Sequence, residues 1–386
     1  MSNVERPVVN IHRRASLSHN NLPELRKSEV AHESQIVGRG ASFNPPNRFE
    51  TLAVEKPEGD IAEYFEDPEP ERNILTRFYV DHTKSILAKN DSPDLGFSYS
   101  LNPYRGCEHG CIYCYARPTH EYLGFSAGLD FETKIMVKPD APKLLEGKLR
   151  QGSWQPEAIM LSGDTDCYQP IERKLQITRQ CLEVFLRYRN PVTVITKNAL
   201  IQRDADLLKE LAALNLVLVV ISITSLDHDL IRKMEPRSST PVKRLETIES
   251  LAAQGIPVGV NACPIIPGLN DVEIPSILAE ASRRGARYAS QTIVRLPHSV
   301  KELFVDWLER EMPSRSAAIL NRIRDVRGGE LSCSDFGERL SGDGQIAETI
   351  TQLFRSACSR YHLNENQFAF STDRFFRPDS LQMEIF

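Results

Sequence analysis

The chain has 386 residues, of which 41% are hydrophobic and 26% charged, with a formal net charge of -5. This ordinary composition excludes a collagen, a coiled-coil rod and a wholly disordered protein. The strongest apolar run, residues 216–223, is far shorter than the ~18 residues of a membrane span, and the N-terminus MSNVERPVVNIHRRAS lacks a signal peptide's apolar block. We therefore expect a cytoplasmic protein without membrane association, whose eight cysteines serve metal binding, catalysis or core packing.

Residues 1–75 contain many proline, asparagine, serine and charged residues with little periodicity, and they end in the acidic stretch GDIAEYFEDPEPER. This pattern predicts a flexible N-terminal arm. Between residues 76 and 296, β-rich runs alternate with helical patterns. The runs lie at residues 97–101, 134–138, 158–163, 192–197, 216–224, 257–266 and 289–294. Such alternation predicts an α/β fold with a parallel sheet, and about six units predict a partial (β/α)6 TIM-like barrel.

The rest of the chain is different in pattern. Residues 297–365 carry amphipathic helical periodicity, which predicts a helical C-terminal extension. Residues 366–386 mix aromatic residues, arginines and a proline, as expected of a tail. In the predicted barrel, functional side chains lie in the loops that follow the strands, at their carboxyl ends.

Three cysteines follow the first predicted strand. Cys107, Cys111 and Cys114 have a C-x3-C-x2-C spacing, and the loop also contains Gly106 and Gly110, which permit tight turns. Three thiolates on one short loop can converge on a single metal centre. A 4Fe-4S cluster held by only three cysteines leaves one iron open to a small ligand.

Two alternatives exist for these cysteines. A zinc ion completed by His109 or His120 is one, although the second, distant ligand pair that is typical of structural zinc is missing from the sequence. Unligated thiols are the other. The spacing favours the iron-sulfur interpretation.

The segment CEHGCIYC resembles the C-x3-C-x-aromatic-C signature of radical S-adenosylmethionine (SAM) enzymes. Residues 97–296 are similar to the spore photoproduct lyase-like branch of that superfamily. The matching stretches are NPYRGCEHGCIYCYARPTHEY, VITKNAL, VISIT and EPRSSTPVKRLETIESLAAQGIPVGVNACPIIPGLND. The resemblance implies that Cys107, Cys111 and Cys114 bind three irons of a 4Fe-4S cluster and that SAM chelates the fourth. An electron from an external donor then splits SAM, and the resulting 5′-deoxyadenosyl radical takes hydrogen from the substrate.

The resemblance also implies SAM-binding residues. Tyr113 lies between the last two cysteines and would pack beside the cluster. Lys197 matches a lysine that contacts the SAM carboxylate, although a solvated lysine at a strand end is an alternative. Asp164 and Asp166 follow the third predicted strand, where the superfamily recognises the amino group of SAM, but either residue can instead cap a helix.

Further implied contacts lie later in the chain. Ser222 and Thr224 alternate along one strand and correspond to ribose contacts, although they can equally be hydroxyls satisfied in the core. Glu235 and Arg237 are expected to form a charge-assisted pair near the adenosyl site, with a surface salt bridge as the alternative. Gly268 permits close approach of the backbone to adenine, or simply belongs to a strand-to-helix turn.

Two cysteines are candidates for a catalytic hydrogen donor. The photoproduct lyases use a cysteine after the third strand, but the matching position here is Gly163. Cys167 lies four residues further on, and Cys263 shares a strand face with Asn261. A buried, inert thiol is the alternative for each cysteine.

Two C-terminal features point towards DNA. Gln382–Phe386 (QMEIF) resembles the Gln-x-x-Leu-Phe peptide with which bacterial proteins bind the sliding clamp. Residues 374–377 (RFFR) combine stacking and positive charge, although ordinary packing of the tail is the alternative.

These observations predict a radical SAM enzyme of the photoproduct lyase-like kind, acting on a nucleic-acid lesion or modified base. One alternative is radical modification of a substrate that is not a nucleic acid. The other is a non-enzymatic iron-sulfur protein with a structural or redox role.

Overall fold

Ten strands form two sheets in the described part of the chain. The computed structural model describes residue 36, residues 38–49 and residues 74–378. In chain order the strands are β1 (Arg77–Val80), β2 (Leu87–Lys89), β3 (Tyr99–Leu101), β4 (Tyr104–Arg105), β5 (Lys134–Val137), β6 (Ile159–Leu161), β7 (Val192–Thr196), β8 (Val217–Ser222), β9 (Val258–Ile265) and β10 (Tyr288–Ile293).

Helices connect these strands. They are α1 (Leu129–Thr133), α2 (Ala141–Arg150), α3 (Glu172–Leu175), α4 (Ile177–Tyr188), α5 (Ala205–Ala213), α6 (His228–Met234), α7 (Pro241–Ala253), α8 (Ile274–Arg283), α9 (Val300–Glu311), α10 (Ser316–Asp325) and α11 (Gly344–Arg360). Short 3-10 helices cover Arg117–Leu123, Ala199–Asp204 and Asp271–Glu273. The start of α7 shows how the sequence sets a boundary: Thr240 caps the backbone N–H of Lys243, and Pro241 occupies the first turn.

The main sheet has the strand order β10-β9-β8-β7-β6-β3-β2. Its six strands from β3 to β10 pair in parallel, and only β2 joins antiparallel, at the edge beside β3. Because neighbouring parallel strands follow one another along the chain, right-handed crossovers place the connecting helices on one face of the sheet. The predicted α/β class with a parallel sheet is therefore confirmed.

The two faces of this sheet differ in burial. In β7, Val192, Val194 and Thr196 are buried, whereas Thr193 and Ile195 are only half-buried. The same alternation continues in β8, and the register aligns half-buried residues of the two strands with each other. One face therefore packs against the helices, and the other is partly open to solvent. We call the face that is partly open to solvent the open face.

The run at residues 134–138 was expected to join the main sheet, but the structure places it elsewhere. It forms β5, the middle strand of a small sheet with the order β1-β5-β4. The chain between β4 and β5 contains the three cysteines instead of one long crossover helix, so β5 returns antiparallel to β4. The small sheet thus closes the base of the cysteine loop.

Part of the predicted N-terminal arm is packed on this loop. The backbone N–H groups of Gly40 and Ala41 donate to the Glu132 carboxylate, at 3.1 and 2.9 Å. The Asn44 side chain bonds to Asp130 both as donor and as acceptor. Residues 38–49 therefore cover the cysteine loop, which differs from the expectation of a flexible arm. Residues 50–73 lie outside the described part of the chain.

Three helices follow the main sheet. The apolar side chains of α9 and α10 form a second core that includes Ile112 and Tyr113 of the cysteine loop, whereas α11 packs against α8. Among the described residues, no helix combines the length and apolar character that a membrane span requires.

The start of the tail packs on the amino ends of the strands. Phe376 donates its backbone N–H to the Tyr188 carbonyl and stacks under Arg189, and Arg377 bonds to the carbonyls of Gln151 and Trp154. The RFFR segment thus follows the packing alternative. The clamp-binding prediction for Gln382–Phe386 falls outside the described residues and stays a prediction.

A Gly40→Ala substitution tests the packing of residues 38–49. A Cβ at Gly40 would overlap the carbonyl oxygen of Gly110, so we expect the free energy of unfolding to fall by about 2 kcal/mol. Gly147→Ala is the matched control, because a Cβ there, within α2, meets open space and gains helix propensity. Urea unfolding of both variants measures the difference. Equal stability of Gly40→Ala and the parent protein would contradict this packing.

Candidate active site

The cysteine loop starts directly after β4 and depends on glycine at its first turn. Gly106 adopts the left-handed conformation with φ of 77°. A Cβ at this position would lie 2.8 Å from the carbonyl oxygen of Phe131, closer than real Cβ atoms approach. The adjacent Cys107 donates its backbone N–H to the same oxygen, at 3.0 Å. The glycine therefore lets the first cysteine lie tightly against the chain that precedes β5.

The three thiols fit a metal cluster. Cys107 and Cys111 are buried and Cys114 is half-buried, and burial raises the pKa of all three thiols. Thiolates at this site therefore need positive charge nearby, which iron supplies. A single zinc ion, with Zn–S bonds of about 2.3 Å, needs sulfurs about 3.8 Å apart. Among the described residues, three such ligand atoms come within 4.8 Å of one another only in the set Cys333, Asp335 and Glu338.

Both ring nitrogens of His109, but only one ring nitrogen of His120, contact protein groups. His109 Nδ1 lies 3.4 Å from Asp166 Oδ2, and its Nε2 lies 3.1 Å from Asn198 Nδ2. His120 Nε2 lies 2.9 Å from the Lys134 carbonyl oxygen, which requires this nitrogen to carry the proton. The donor set and its wide spacing therefore fit a polynuclear cluster held by three cysteines better than one zinc ion.

A buried ion pair supports the outer side of the loop. Arg117 Nη2 lies 2.6 Å from Glu132 Oε1, and both side chains are fully buried. The guanidinium also donates to the Cys111 carbonyl at 3.0 Å, and the carboxylate accepts the amides of Gly40 and Ala41. The position of Cys111 is thus fixed by a network that sequence reasoning missed. The sequence around Arg117 contains no pattern that distinguishes a buried arginine from one on the surface.

A second buried acid lies on the inner side of the loop. Glu235, at the end of α6, bonds to Tyr113 Oη and Arg244, and its Oε1 lies 2.6 Å from Thr224 Oγ1 and 3.4 Å from Lys197 Nζ. Burial alone would raise the pKa of Glu235, but Arg244 and Lys197 outweigh this effect and lower the pKa well below its usual range. The predicted residues Tyr113, Lys197, Thr224 and Glu235 therefore form one charged cluster at the carboxyl ends of the strands.

Glu235 pairs with Arg244 rather than with Arg237, so the predicted Glu235–Arg237 pair is wrong. Arg244 lies on α7 and reaches Glu235 from within the protein, while also donating to the Ser222 carbonyl at 3.0 Å. Arg237 instead turns towards Glu108, with 3.8 Å between Nη1 and Oε1. Sequence proximity favoured the wrong arginine.

The two predicted aspartates have different surroundings. Asp166 is buried, and its oxygens accept from Thr196 Oγ1 at 2.7 Å and from the Lys197 backbone N–H at 2.8 Å, in addition to the contact with His109. It therefore joins the cysteine loop to the end of β7. Asp164 is exposed, and its side chain remains open to solvent beside Lys138 and Arg105.

Ser222 lies beside the charged cluster, because its carbonyl accepts from Arg244, whereas Gly268 lies beside Arg322 of α10. Ser222 is the last residue of β8 and is buried, and Thr224 lies beyond the strand end. Gly268 has φ of 82°, and a Cβ there would lie 2.7 Å from Cδ of Arg322. This glycine is thus required by the backbone conformation and by the approach of α10.

The two candidate donor cysteines differ in environment. Cys167 is fully buried in the main apolar core, with its backbone N–H bonded to Ser162 Oγ. Cys263 is half-buried at the end of β9 on the open face, and its Sγ lies 2.9 Å from Thr292 Oγ1. Burial raises the pKa of both thiols, so they are protonated at neutral pH. Only Cys263 of the pair lies on the open face.

Tyr115 and Arg295 were missed by sequence reasoning, and they lie at the rim of the site. Tyr115, directly after the last cysteine, is half exposed and donates its hydroxyl to the Gly163 carbonyl at 2.5 Å. The Arg295 guanidinium lies 5.5 Å from the centre of its ring. Because Gly163 follows β6 and Arg295 follows β10, Tyr115 connects loops from distant strands. Its place beside Cys114 was the available signal.

This arrangement defines an α/β protein with a three-cysteine site at the carboxyl ends of parallel strands. A family model described as the Radical SAM superfamily matches residues 101–281. The chain is also 34% identical over 246 residues to an uncharacterised protein of Mycobacterium tuberculosis. The matched segment covers 63% of this chain and 71% of that protein. The chain belongs to the radical SAM superfamily, whose members use a 4Fe-4S cluster and S-adenosylmethionine.

Other relatives extend the comparison. An uncharacterised protein of Methanocaldococcus jannaschii is 32% identical over 178 residues, covering 46% of this chain and 64% of that protein. Among solved structures, a spore photoproduct lyase variant matches with a TM-score of 0.54 at 16% identity, covering 80% of this chain and 85% of its own. Spore photoproduct lyase complexed with dinucleoside spore photoproduct matches with a TM-score of 0.53 at 15% identity, covering 74% and 79%. At these identities the match shows a shared fold.

His120 makes the stability of the cysteine loop depend on pH. Burial lowers the pKa of this histidine from its ordinary value near 6.5 to about 4. Between pH 6.5 and 4, His120 is therefore protonated in the unfolded chain but neutral in the folded protein. The free energy of unfolding falls as the pH drops through this range. We expect His120→Gln to remove about 3 kcal/mol of this dependence.

Urea unfolding at pH 7 and pH 4 measures this effect. His228→Gln is the control, because His228 is largely exposed. A wild-type protein and a His120→Gln variant that lose the same stability over this range would refute a neutral, buried His120.

Proposed function

We propose that this protein is an enzyme that uses the radical SAM reaction to abstract hydrogen from a nucleic-acid substrate, either a lesion or a modified base. The observation that carries the proposal is the meeting of two features at one end of the sheet. Three buried or half-buried thiols share a short loop, and beside them lies the cluster of Tyr113, Lys197, Thr224 and Glu235. An external electron donor is part of this proposal.

We infer that the main sheet curves into the predicted partial barrel. Its edge strands are β2 and β10. Gly337 bonds to Asp94 in the loop between β2 and β3, and three residues later Leu340 bonds to Ile293 in β10. A flat sheet of seven strands is about 29 Å wide, whereas three residues span about 10 Å at most. Contacts to both edges from one short segment support a curved sheet.

Cys107, Cys111 and Cys114 would hold the 4Fe-4S cluster, which supplies the electron for cleavage of SAM when both are bound. Lys197 offers an ammonium group suited to the SAM carboxylate, and Glu235 fixes its position through the 3.4 Å contact. Tyr113 presents an aromatic ring whose centre lies 5.7 Å from Lys197 Nζ. These side chains bind and orient the cofactor.

The remaining predicted contacts are proposed in distinct roles. Asp164, which is exposed, suits the amino group of SAM, whereas Asp166 positions Lys197 through its backbone N–H. The hydroxyls of Ser222 and Thr224 suit the ribose. Gly268 is assigned to the adenine side of the site.

We propose Cys263 as the hydrogen donor to the substrate radical that remains after hydrogen abstraction. Its S–H bond breaks as a C–H bond forms on the substrate, and one electron from the external donor and one proton return the resulting thiyl radical to the thiol. A donor of a hydrogen atom must carry its S–H bond, and the raised pKa keeps this thiol protonated. Its partner Thr292 fixes the sulfur on the open face, from which Cys167 is separated by the core. The chain thus offers a donor on β9, whereas Gly163 follows β6.

The open face suits a nucleotide. Its polar residues near Cys263 include the uncharged pair of Ser290 and Asn261, in which the Ser290 hydroxyl donates to Asn261 Oδ1 at 3.0 Å, and the charged Lys197, whose Nζ lies 3.5 Å from the Cys263 carbonyl oxygen. Such groups match the donors and acceptors of nucleobases. Positive charge lies at the rim, where Arg295 can meet phosphate. The solved lyase with a similar fold was complexed with dinucleoside spore photoproduct, which also supports this substrate class.

Anaerobic cleavage of SAM tests the enzyme class. The protein is reconstituted with iron and sulfide, supplied with SAM and dithionite, and assayed for 5′-deoxyadenosine by chromatography. We expect product from the parent protein and a loss of at least 100-fold in Cys111→Ala, because three thiolates are needed to hold the cluster. Cys181→Ala is the matched control, since Cys181 is buried in the core on α4.

The absorption spectrum separates the other outcomes. A well-formed cluster whose spectrum does not change with SAM, and which yields no product, would identify a structural or redox centre and refute the proposal. Product formation equal in Cys111→Ala and in the parent protein would refute the assigned ligands.

Salt-dependent DNA binding tests the substrate class. We expect the dissociation constant for a single-stranded oligonucleotide to rise steeply with salt, because bound phosphates release counterions. Arg295→Ala should reduce the slope of this logarithmic plot by about one. Arg283→Ala is the control, because α8 ends near the amino end of β10, away from the site. Binding without a salt slope would favour a substrate that is not a nucleic acid.

A further inference from the structure

One short loop fastens the two opposite edges of the main sheet to each other. At its first end, Asp94 Oδ1 accepts the Gly337 backbone N–H at 2.7 Å, and Asp94 Oδ2 accepts Arg339 Nε at 2.5 Å. At its second end, the Leu340 carbonyl accepts the Ile293 backbone N–H at 2.9 Å. We call residues 336–342 the side wall, because they bond both to the loop that follows β2 and to the end of β10.

Both attachments are stronger than those of an ordinary surface loop. The side chains of Asp94 and Arg339 are only 9% and 16% exposed, and Arg339 also bonds to Ser92 Oγ. Arg327 holds the opposite end, donating to the Glu338 carbonyl at 2.8 Å and to the Val294 carbonyl at 2.7 Å. A largely buried ion pair, whose carboxylate also accepts the Gly337 backbone N–H, resists solvent screening better than an exposed pair.

The side wall lies next to the rim of the proposed site. Burial and the neighbouring Arg339 guanidinium lower the pKa of Arg295, which places these two cations close together. Arg295 in turn covers the ring of Tyr115. Thr292, in the edge strand that the wall adjoins, contacts Cys263 Sγ. A chain of contacts thus leads from the Asp94 anchor to the reactive end of the open face.

We propose that the side wall determines which substrates reach the open face, by closing its lateral entrance through the Asp94 anchor. Substrate then enters from the carboxyl ends of the strands. A single extruded nucleotide or a chain end fits this route, whereas a continuous duplex laid across the sheet does not. The role in substrate choice rests on the function proposed above, but closure of the wall does not.

Thiol labelling of Cys263 tests the closure without using enzyme activity. The anaerobically reconstituted protein carries Cys333→Ser throughout and is treated with N-ethylmaleimide or with bulky fluorescein maleimide, and peptide mass spectrometry follows Cys263. We expect Asp94→Ala to raise the rate with the bulky reagent at least fivefold and to change the rate with the small reagent less than twofold. Asp91→Ala is the matched control, because Asp91 lies in the same loop as Asp94 and pairs with Lys89 of β2, but its side chain is largely exposed.

Trypsin reports the state of the wall itself. Cleavage after Arg339 should be at least tenfold faster in Asp94→Ala than in the parent protein, because the largely buried guanidinium becomes free. Cleavage that accelerates while labelling by the bulky reagent stays unchanged would overturn the proposal, since an open wall would then not control access. No change in either rate would show that Asp94 does not hold the wall, and would overturn it as well.

Asp94→Asn keeps the measurement informative if Asp94→Ala unfolds. The amide still accepts the Gly337 N–H, but the ion pair with Arg339 is lost. Trypsin cleavage after Arg339 and labelling of Cys263 by the bulky reagent should therefore both accelerate, by less than in a folded alanine variant. Unchanged rates would again overturn the proposal. The cluster spectrum and SAM cleavage are measured on the same samples. If the labelling rates change as expected but none of the samples cleaves SAM, the proposed function is rejected and the closure of the side wall stands.

Discussion

The cysteine loop depends on the buried ion pair of Arg117 and Glu132. Both side chains are removed from water, which is tolerated only when their hydrogen-bonding capacity is used. The Arg117 guanidinium donates hydrogen bonds to backbone carbonyls of the loop and of the turn that follows it. Glu132 accepts hydrogen bonds from backbone N–H groups of residues 38–49. Three separate chain segments therefore share one electrostatic centre.

A second acid plays the corresponding part on the opposite side of the loop. Glu235 is as buried as Glu132 and also faces an arginine, but it adds contacts to Tyr113, Thr224 and Lys197. The first acid is structural, because its partners are the buried Arg117 and backbone N–H groups. The second leaves a lysine and a hydroxyl available at the strand ends. The loop is thus held rigidly from outside, and its inner side presents the groups that suit a cofactor.

Local patterns predicted the parts of this molecule that depend on local physics. The run at residues 192–197 is apolar and β-branched, and it forms β7 almost as expected. The spacing of the cysteines predicts a shared centre, and all three lie in the segment between β4 and β5. By contrast, β5 has the composition of a main-sheet strand, and its position depends on pairing with β1 and β4, which no local pattern encodes.

Long-range choices explain the remaining differences. Arg244 and Arg237 are both near Glu235 in sequence, and the turn between α6 and α7 decides which of them points inward. Cys167 follows Gly163 closely, yet a turn fixed by Ser162 directs its thiol into the core. The alternation in β9 did predict correctly that Asn261 and Cys263 share a face. Side-chain parity along a strand is a local property, whereas the partner of a buried charge is not.

The attachment of residues 38–49 also affects how the protein opens. Gly40 and Glu132 are 92 positions apart, so their contact requires closure of a long chain segment. A few hydrogen bonds and the tight packing of Gly40 offset the entropic cost of this closure. Segments held by few contacts open locally at a lower free energy than the sheet, so we expect residues 38–49 to separate from the cysteine loop before the sheet unfolds. Such an opening would give metal ions and oxidants access to the thiols while the parallel sheet stays intact.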